Sequence, residues 1–288
     1  MRSWQCWLAR LGALALVLQP VAAHAHGTII GGAQAGEAAS DAYVFVSFGH
    51  GISALCSGTV VAPTVVMTAG HCVLGPQNSV YATARFTVVT GAVSPSDPVA
   101  PHSGVTKILL HPGFYLPTLR DDVALLVLAV PTSAPAIELA RAGDPAVASS
   151  GTPAWISGWG VTAMTESTNA PPVLERAQTV VRSDAFCRRH QPLRGRVYKR
   201  TVMLCTDDAA LGTATCHGDS GGPLIAFRAD GTPVEIGITS WGASNCSTGT
   251  PSYFARVSAI AGWVSTTLAN LAATTPAATV ARAGVLRR

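Results

Sequence analysis

The chain is poor in charge: only 12% of its 288 residues are Asp, Glu, Lys or Arg, against 48% hydrophobic, and lysine occurs only as Lys107 and Lys199. Disorder needs the opposite composition, so a folded chain is expected. Its length suffices for one large domain or two small fused ones. The 19 Lys and Arg against 15 Asp and Glu leave a mild positive balance that calls for neither nucleic acid nor an anionic membrane as partner. Long hydrophobic runs are also missing. The apolar stretch 11–18 is far shorter than the roughly 20 residues needed to cross a bilayer, and nothing later in the chain is long enough. No membrane anchor is therefore expected. Neither a Cys-x-x-Cys pair nor a His-rich cluster occurs, so nothing points to structural zinc.

What is there begins with an export signal. Arg2 and Arg10 flank a polar start, the apolar run 11–18 follows, and Pro20 precedes small residues ending Ala23-His24-Ala25. The pattern predicts a signal peptide over 1–25, cut after Ala25 or, nearly as well, after Ala23. The destination would be extracellular or periplasmic. Of the seven cysteines, Cys6 leaves with the signal, and the six that remain (Cys56, Cys72, Cys187, Cys205, Cys216, Cys246) form an even set. In an oxidising compartment the simplest use of that set is three disulfides, with the connectivity open at this point.

Short apolar runs rich in Val, Ile, Thr and aromatics recur at 43–48, 86–90, 123–130, 154–156 and 234–239, separated by Gly, Pro, Ser and Asp. This is the pattern of an all-β sandwich or barrel, not of alternating βαβ units. Asp230-Gly231 between two such runs marks a hairpin turn, because Gly supplies positive φ. Only residues 257–270 have helical spacing, with Ile260, Trp263, Val264 and Leu268 on one face. The Ala-, Thr- and Arg-rich stretch 271–288 predicts a loose tail.

Three segments carry chemistry. Thr68-Ala69-Gly70-His71-Cys72 follows an apolar strand, Asp122-Val123-Ala124-Leu125-Leu126 opens another, and Cys216-His217-Gly218-Asp219-Ser220-Gly221-Gly222-Pro223-Leu224 holds a glycine-flanked serine. A serine hydroxyl becomes a useful nucleophile when a histidine takes its proton, and the histidine needs a carboxylate to hold its tautomer and stabilise the imidazolium. A lone His is usually surface or core, and a lone Gly-Asp-Ser-Gly is commonly a turn. The combination in the order His, Asp, Ser is what carries the reading. His24, His26, His50, His102, His111 and His190 lack such a context.

These boxes, with Ile29-Ile30-Gly31-Gly32, Ser157-Gly158-Trp159-Gly160 and Ser240-Trp241-Gly242, resemble the trypsin/chymotrypsin family of serine endopeptidases from Ile29 to about Asn270. The resemblance implies two perpendicular six-stranded antiparallel β-barrels with a C-terminal helix and the active site between them. It implies His71, Asp122 and Ser220 as catalytic residues, with Asp121 a surface neighbour, and an oxyanion hole from the N–H groups of Gly218 and Ser220. It pairs Cys56 with Cys72, Cys187 with Cys205 and Cys216 with Cys246. It also implies a zymogen, in which a new amino group on Ile29 pairs with Asp219 after removal of the propeptide 26–28. Thr28 stands where many relatives have Arg or Lys, so the expected activator is a protease that accepts small residues, the enzyme itself being one candidate.

The same resemblance places Ala214 at the base of the substrate pocket, Gly242 and Ser252 on its walls, and Thr215, His217, Ser240 and Trp241 around it. No carboxylate at Ala214 is available to neutralise a bound Lys or Arg, and the Ser252 side chain shortens the pocket. Small to medium apolar residues before the scissile bond are therefore expected. The loop 92–104, where calcium-binding relatives cluster acidic residues, offers only Asp97, whereas calcium takes about six to eight oxygens. No metal and no cofactor is expected. Partners would be protein or peptide substrates, acting on a monomer. The basic run from Arg188 to Arg200 reads as a solvated helix and loop, with an exosite for an acidic partner as its alternative.

Two other functions compete. A catalytically silent binding protein on this fold is opposed by the complete His, Asp and Ser set. An esterase or lipase would run Ser, Asp, His on an α/β sheet, contrary to both the order and the strand pattern.

Overall fold

The computed structural model describes residues 29–161, 172–191, 196–207 and 209–274. The expected signal peptide 1–25, the expected propeptide 26–28 and residues 275–288 of the expected tail lie outside them. After the two-residue strand β1 (Ala33–Gln34), the first half consists of β2 (Asp41–Gly49), β3 (Ile52–Ala62), β4 (Val65–Thr68), β5 (Phe86–Thr90), β6 (His102–Leu110) and β7 (Ala124–Leu128). These close into an antiparallel barrel in the order β2-β3-β4-β7-β6-β5. Alternation explains the closure. Along β2, Ala42, Val44 and Val46 are buried while Tyr43, Phe45 and Ser47 are partly open, as a strand with one face on a core requires. The β2–β3 connection turns through His50 and Gly51, both at positive φ, the conformation of a tight hairpin whose twist matches its strands.

The second half comprises β8 (Glu138–Leu139), β9 (Pro153–Gly158), β10 (Glu175–Val180), β11 (Met203–Thr206), β12 (Pro223–Phe227), β13 (Pro233–Trp241) and β14 (Ser252–Arg256). Its sheet runs β1-β10-β9-β12-β13-β14-β11, with β8 added on β13. The sheet curls until its far strand returns to β10: Val181 bridges Thr206, and Arg182 N–H donates to the Cys205 carbonyl at 2.9 Å. Six strands, β9 to β14, thereby form the second barrel. The β12–β13 hairpin turns at the predicted place, with Gly231 at φ +85°.

Helix α1 (Asp184–Arg189) starts at Ser183, whose Oγ accepts the Phe186 N–H at 3.3 Å, satisfying one of the donors a helix start leaves free. Helix α2 (Val257–Thr274) buries Val257, Ile260 and Val264. It extends past Asn270 because Leu271 still packs on the core. Trp263 meets His111 of the first half edge-on at 4.8 Å, so α2 clamps both barrels. One continuous apolar cluster runs from Val44 and Leu126 through Ile156 and Leu224 to Ile260. Burying each such large aliphatic side chain contributes about 1.5–3 kcal/mol, which holds the two halves, and the cleft between them, in a fixed relation. Disulfides join Cys56 to Cys72, Cys187 to Cys205 and Cys216 to Cys246.

Candidate active site

His71 sits in the single helical turn Gly70–Val73 that follows β4, pinned to β3 by the Cys56–Cys72 bridge. The turn packs closely, since a Cβ on Gly70 would come within 3.0 Å of Leu110 and 3.1 Å of Phe114, and those side chains would have to give by a few tenths of an ångström. Asp122, at the entry to β7, is fully buried. Its Oδ1 accepts the His71 backbone N–H at 2.8 Å, and its Oδ2 lies 2.8 Å from His71 Nδ1. The Ser240 hydroxyl donates to Oδ2 as well. A buried carboxylate is costly unless hydrogen-bonded, and this one has three donors. The geometry puts the proton on Nδ1 and leaves Nε2 as the free imidazole nitrogen. Burial by itself would lower the His71 pKa, and the Arg196 guanidinium acts in the same direction. The charge and hydrogen bond of Asp122 outweigh both, and the pKa stands above the ordinary histidine value. Asp121, at positive φ, turns away toward Arg120 at 3.4 Å.

Ser220 lies on a turn held by its neighbours. The Ser220 carbonyl accepts the Ser57 N–H at 2.7 Å, the Asp219 N–H reaches the Cys216 carbonyl at 3.2 Å, and the Gly221 N–H reaches the Thr239 carbonyl at 2.8 Å. Gly218 at φ +101° and Gly221 at φ +85° take conformations that L side chains rarely adopt. A Cβ on Gly218 would lie 2.7 Å from the Gly160 Cα. Among the described residues, the N–H groups of Gly218 and Ser220 make no hydrogen bond within the protein. His71 and Ser220 line one cavity of about 400 Å³. No hydrogen bond joins Ser220 Oγ to the imidazole in this structure; such contacts are often long without substrate and tighten when it binds.

The cavity continues between Thr215, Cys216 and His217 on one side and Ser240, Trp241 and Gly242 on the other. The Cys216–Cys246 bridge braces this region, and Trp241 is fixed by stacking on Tyr253, with ring centroids 3.7 Å apart and planes 4° from parallel. Ala214 and Ser252 are buried and lie outside the cavity lining. Ser252 Oγ accepts both the N–H and the hydroxyl of Thr215, at 3.2 and 3.0 Å. Thr215, which lines the cavity, is thus tied down by Ser252, one of the residues the sequence placed on the pocket wall. A Cβ on Gly242 would meet nothing nearer than 3.7 Å, so the entrance is open.

Asp219 is fully buried beneath the turn, its two oxygens accepting N–H groups from Gly160 at 2.9 Å and Cys216 at 2.8 Å. Burial raises its pKa to about 8 against those hydrogen bonds, helped by the nearby Glu175 carboxylate. Ile29 is buried too, and its N–H donates to Glu175 Oε2 at 3.0 Å. Sequence reading missed Glu175. Its signal is a charged residue at an inward position of β10, where Glu175, Ala177 and Thr179 alternate as the buried set. Donor atoms of Cys56, His71 and Cys72 lie within 4.8 Å of one another, but the two sulfurs are bonded to each other and cannot act as thiolate ligands.

The sequence model of the Trypsin family matches residues 29–264. A protein named Trypsin from Saccharopolyspora erythraea is 35% identical over 204 residues, covering 71% of this chain and 82% of that protein. Serine protease 56 of mouse is 33% identical over 244 residues, covering 83% of this chain, and human serine protease 56 matches with the same figures. The aligned region makes up 38% of the length of each mammalian relative. Two β-barrels flanking this cleft and a family match over most of the chain lead to one conclusion: the chain belongs to the trypsin family of serine proteases.

Proposed function

We propose that the mature protein is a secreted serine endopeptidase that cleaves after small to medium apolar residues and not after Lys or Arg. The observation that carries this reading is the buried Asp122 carboxylate, 2.8 Å from His71 Nδ1, with Ser220 in the same cavity. Ser220 Oγ attacks the scissile carbonyl carbon while His71 Nε2 takes its proton. The resulting imidazolium is stabilised by Asp122, and the developing oxyanion is received by the unused N–H groups of Gly218 and Ser220. The imidazolium then protonates the leaving amine, and water, activated by the same histidine, hydrolyses the acyl-enzyme.

The primary specificity follows from what the pocket lacks. Its lining, from Thr215, Cys216 and His217 to Ser240, Trp241 and Gly242, supplies no carboxylate to pair with a cationic side chain, and the buried Ser252 that holds Thr215 is uncharged as well; an unpaired buried charge is strongly unfavourable. Activation follows from Ile29. Cleavage after Thr28 turns its amide nitrogen into an ammonium beside Glu175 and close to Asp219, and this positive charge favours ionised Asp219 and the ordered turn that carries Gly218.

The test is hydrolysis of peptides presenting Ala, Val, Leu, Phe, Tyr, Lys or Arg before the scissile bond, by protein with a verified Ile29 N-terminus and by its Ser220→Ala variant. Cleavage after apolar residues that disappears in the variant supports the reading. Absence of all cleavage by correctly matured protein overturns it, and cleavage after Lys or Arg overturns the pocket argument alone.

A further inference from the structure

One member of the basic run does not behave as a solvated surface group. Arg196 lines the same cavity as His71 and Ser220, alongside Leu116, Leu119 and Trp241. Its Nη1 is buried and has no hydrogen-bond partner among the described residues. The indole Nε1 of Trp241, on the same cavity, is likewise buried and unpaired. Native proteins pair nearly all buried donors, so two orphans on side chains that line one cavity call for an acceptor supplied from outside.

The charge balance points the same way. Burial disfavours the Arg196 cation, and that cation in turn disfavours protonation of His71. The nearest attracting charge is Asp122, whose oxygens are already committed to His71 and Ser240. A planar guanidinium with free N–H groups is matched best by a carboxylate, which can also accept the indole N–H.

Trp241 fixes where this acceptor belongs on a substrate. The indole is a wall of the primary pocket and also faces the space around Arg196, so the two are continuous. The acyl half of the substrate, which remains on Ser220 after the first bond is broken, occupies the primary pocket and extends from it. We propose that Arg196 and the Trp241 indole bind the side-chain carboxylate of a Glu or Asp on the N-terminal side of the residue in the primary pocket, making the protein selective for acidic-then-apolar sequences. This inference rests on the endopeptidase reading.

The experiment uses matured protein and peptides with a constant apolar residue before the scissile bond and Glu, Gln or Lys at each of the three positions preceding it. Wild type is expected to show kcat/KM about tenfold or more higher for Glu than for Gln at one position, as a charge-assisted hydrogen bond gives. That ratio should respond only weakly to added salt, because Arg196 Nη1 is buried and buried pairs are screened much less than exposed ones. Arg196→Gln is expected to bring the ratio to about one, and Arg196→Glu to turn the preference toward Lys. Trp241→Phe keeps the ring stacked on Tyr253 but lacks the N–H, and should lower the ratio by a smaller factor. Cleavage of all peptides by wild type without a Glu preference overturns the inference and leaves the endopeptidase standing. Cleavage of none overturns both, and a Glu preference that survives Arg196→Gln removes Arg196 from the site. The wild-type panel decides the matter even if a variant fails to fold.

Discussion

Replacing Gly218 by Ala adds one carbon at a place where the structure has no room. The backbone there is at φ +101°, and the new Cβ would lie 2.7 Å from the Gly160 Cα and 3.1 Å from Leu55 Cδ2. Carbon contacts are comfortable at about 3.5–4.0 Å, so the turn must shift by about 1 Å or rotate out of its positive-φ conformation. Either movement redirects the Gly218 N–H. Losing one preorganised donor of this kind costs about 100- to 1,000-fold in kcat. KM should change little, because the donor acts on the charge that develops in the transition state. Gly231→Ala is the control: it is also at positive φ, +85°, but its Cβ would meet nothing within 4 Å and it lies on the β12–β13 turn. That variant should lose about 1–2 kcal/mol of stability from the backbone conformation, seen as a melting temperature lower by about 2–4 °C per kcal/mol, with kcat unchanged. The assay is kcat and KM on the best apolar peptide, with active-site titration to count competent enzyme and thermal melts on both variants. A Gly218→Ala enzyme with kcat within about threefold of wild type would refute the oxyanion assignment, whatever its melting temperature.

Other perturbations probe the remaining parts of the site. Because Asp122 raises the His71 pKa, and the neutral imidazole is the working base, kcat/KM should fall as pH drops through a midpoint above the ordinary histidine value. Asp122→Asn should move that midpoint downward and cut kcat by about 10,000-fold, as pH-rate profiles would show. Ser252→Gly removes the acceptor that ties down Thr215. Peptides with Phe before the scissile bond should gain on those with Ala by about tenfold, measured as a ratio of kcat/KM values. Before cleavage after Thr28, buried Asp219 has its pKa raised from 3.8 to about 8. The folded chain then keeps a proton that the unfolded chain releases, so an uncleaved Ser220→Ala chain should lose stability as pH rises from about 4 to about 8. Denaturant melts across that range should show a slope that Asp219→Asn and maturation to Ile29 each make shallower, the buried Asp41 and Glu235 carboxyls, also raised by burial, supplying the rest. A flat profile in the uncleaved chain would contradict the burial argument.

The parts of this protein that local sequence determines are those whose chemistry is carried by a few adjacent residues. Glycine at 218 and 221, needed for positive φ and close approach, marks the turn of Ser220. Gly70 before His71 marks the helical turn that packs closely against Leu110 and Phe114. Short apolar runs marked β2, β5 and β7 of the first barrel, and Asp230-Gly231 marked a hairpin, because composition and turn chemistry are properties of neighbours in the chain. Helix α2 reached Thr274, beyond the periodic segment, because Leu271 found a place on a core built by distant strands.

The rest was decided by contacts through space. Glu175 meets the Ile29 nitrogen across 146 positions of chain, and nothing in either local segment announces the pairing. Ser240 reads as a pocket residue in its motif, yet its hydroxyl completes the shell of Asp122, 118 positions away. Thr215 on the cavity wall is held by Ser252, which β14 carries 37 positions further along the chain. Arg196 is one cation among several in a basic run, and only the tertiary structure brings it to the cavity that His71 and Trp241 also line. Hydrogen bonding and desolvation depend on which groups share a volume, so the catalytic boxes could be read along the chain, whereas the charges around them are set by how the two barrels meet.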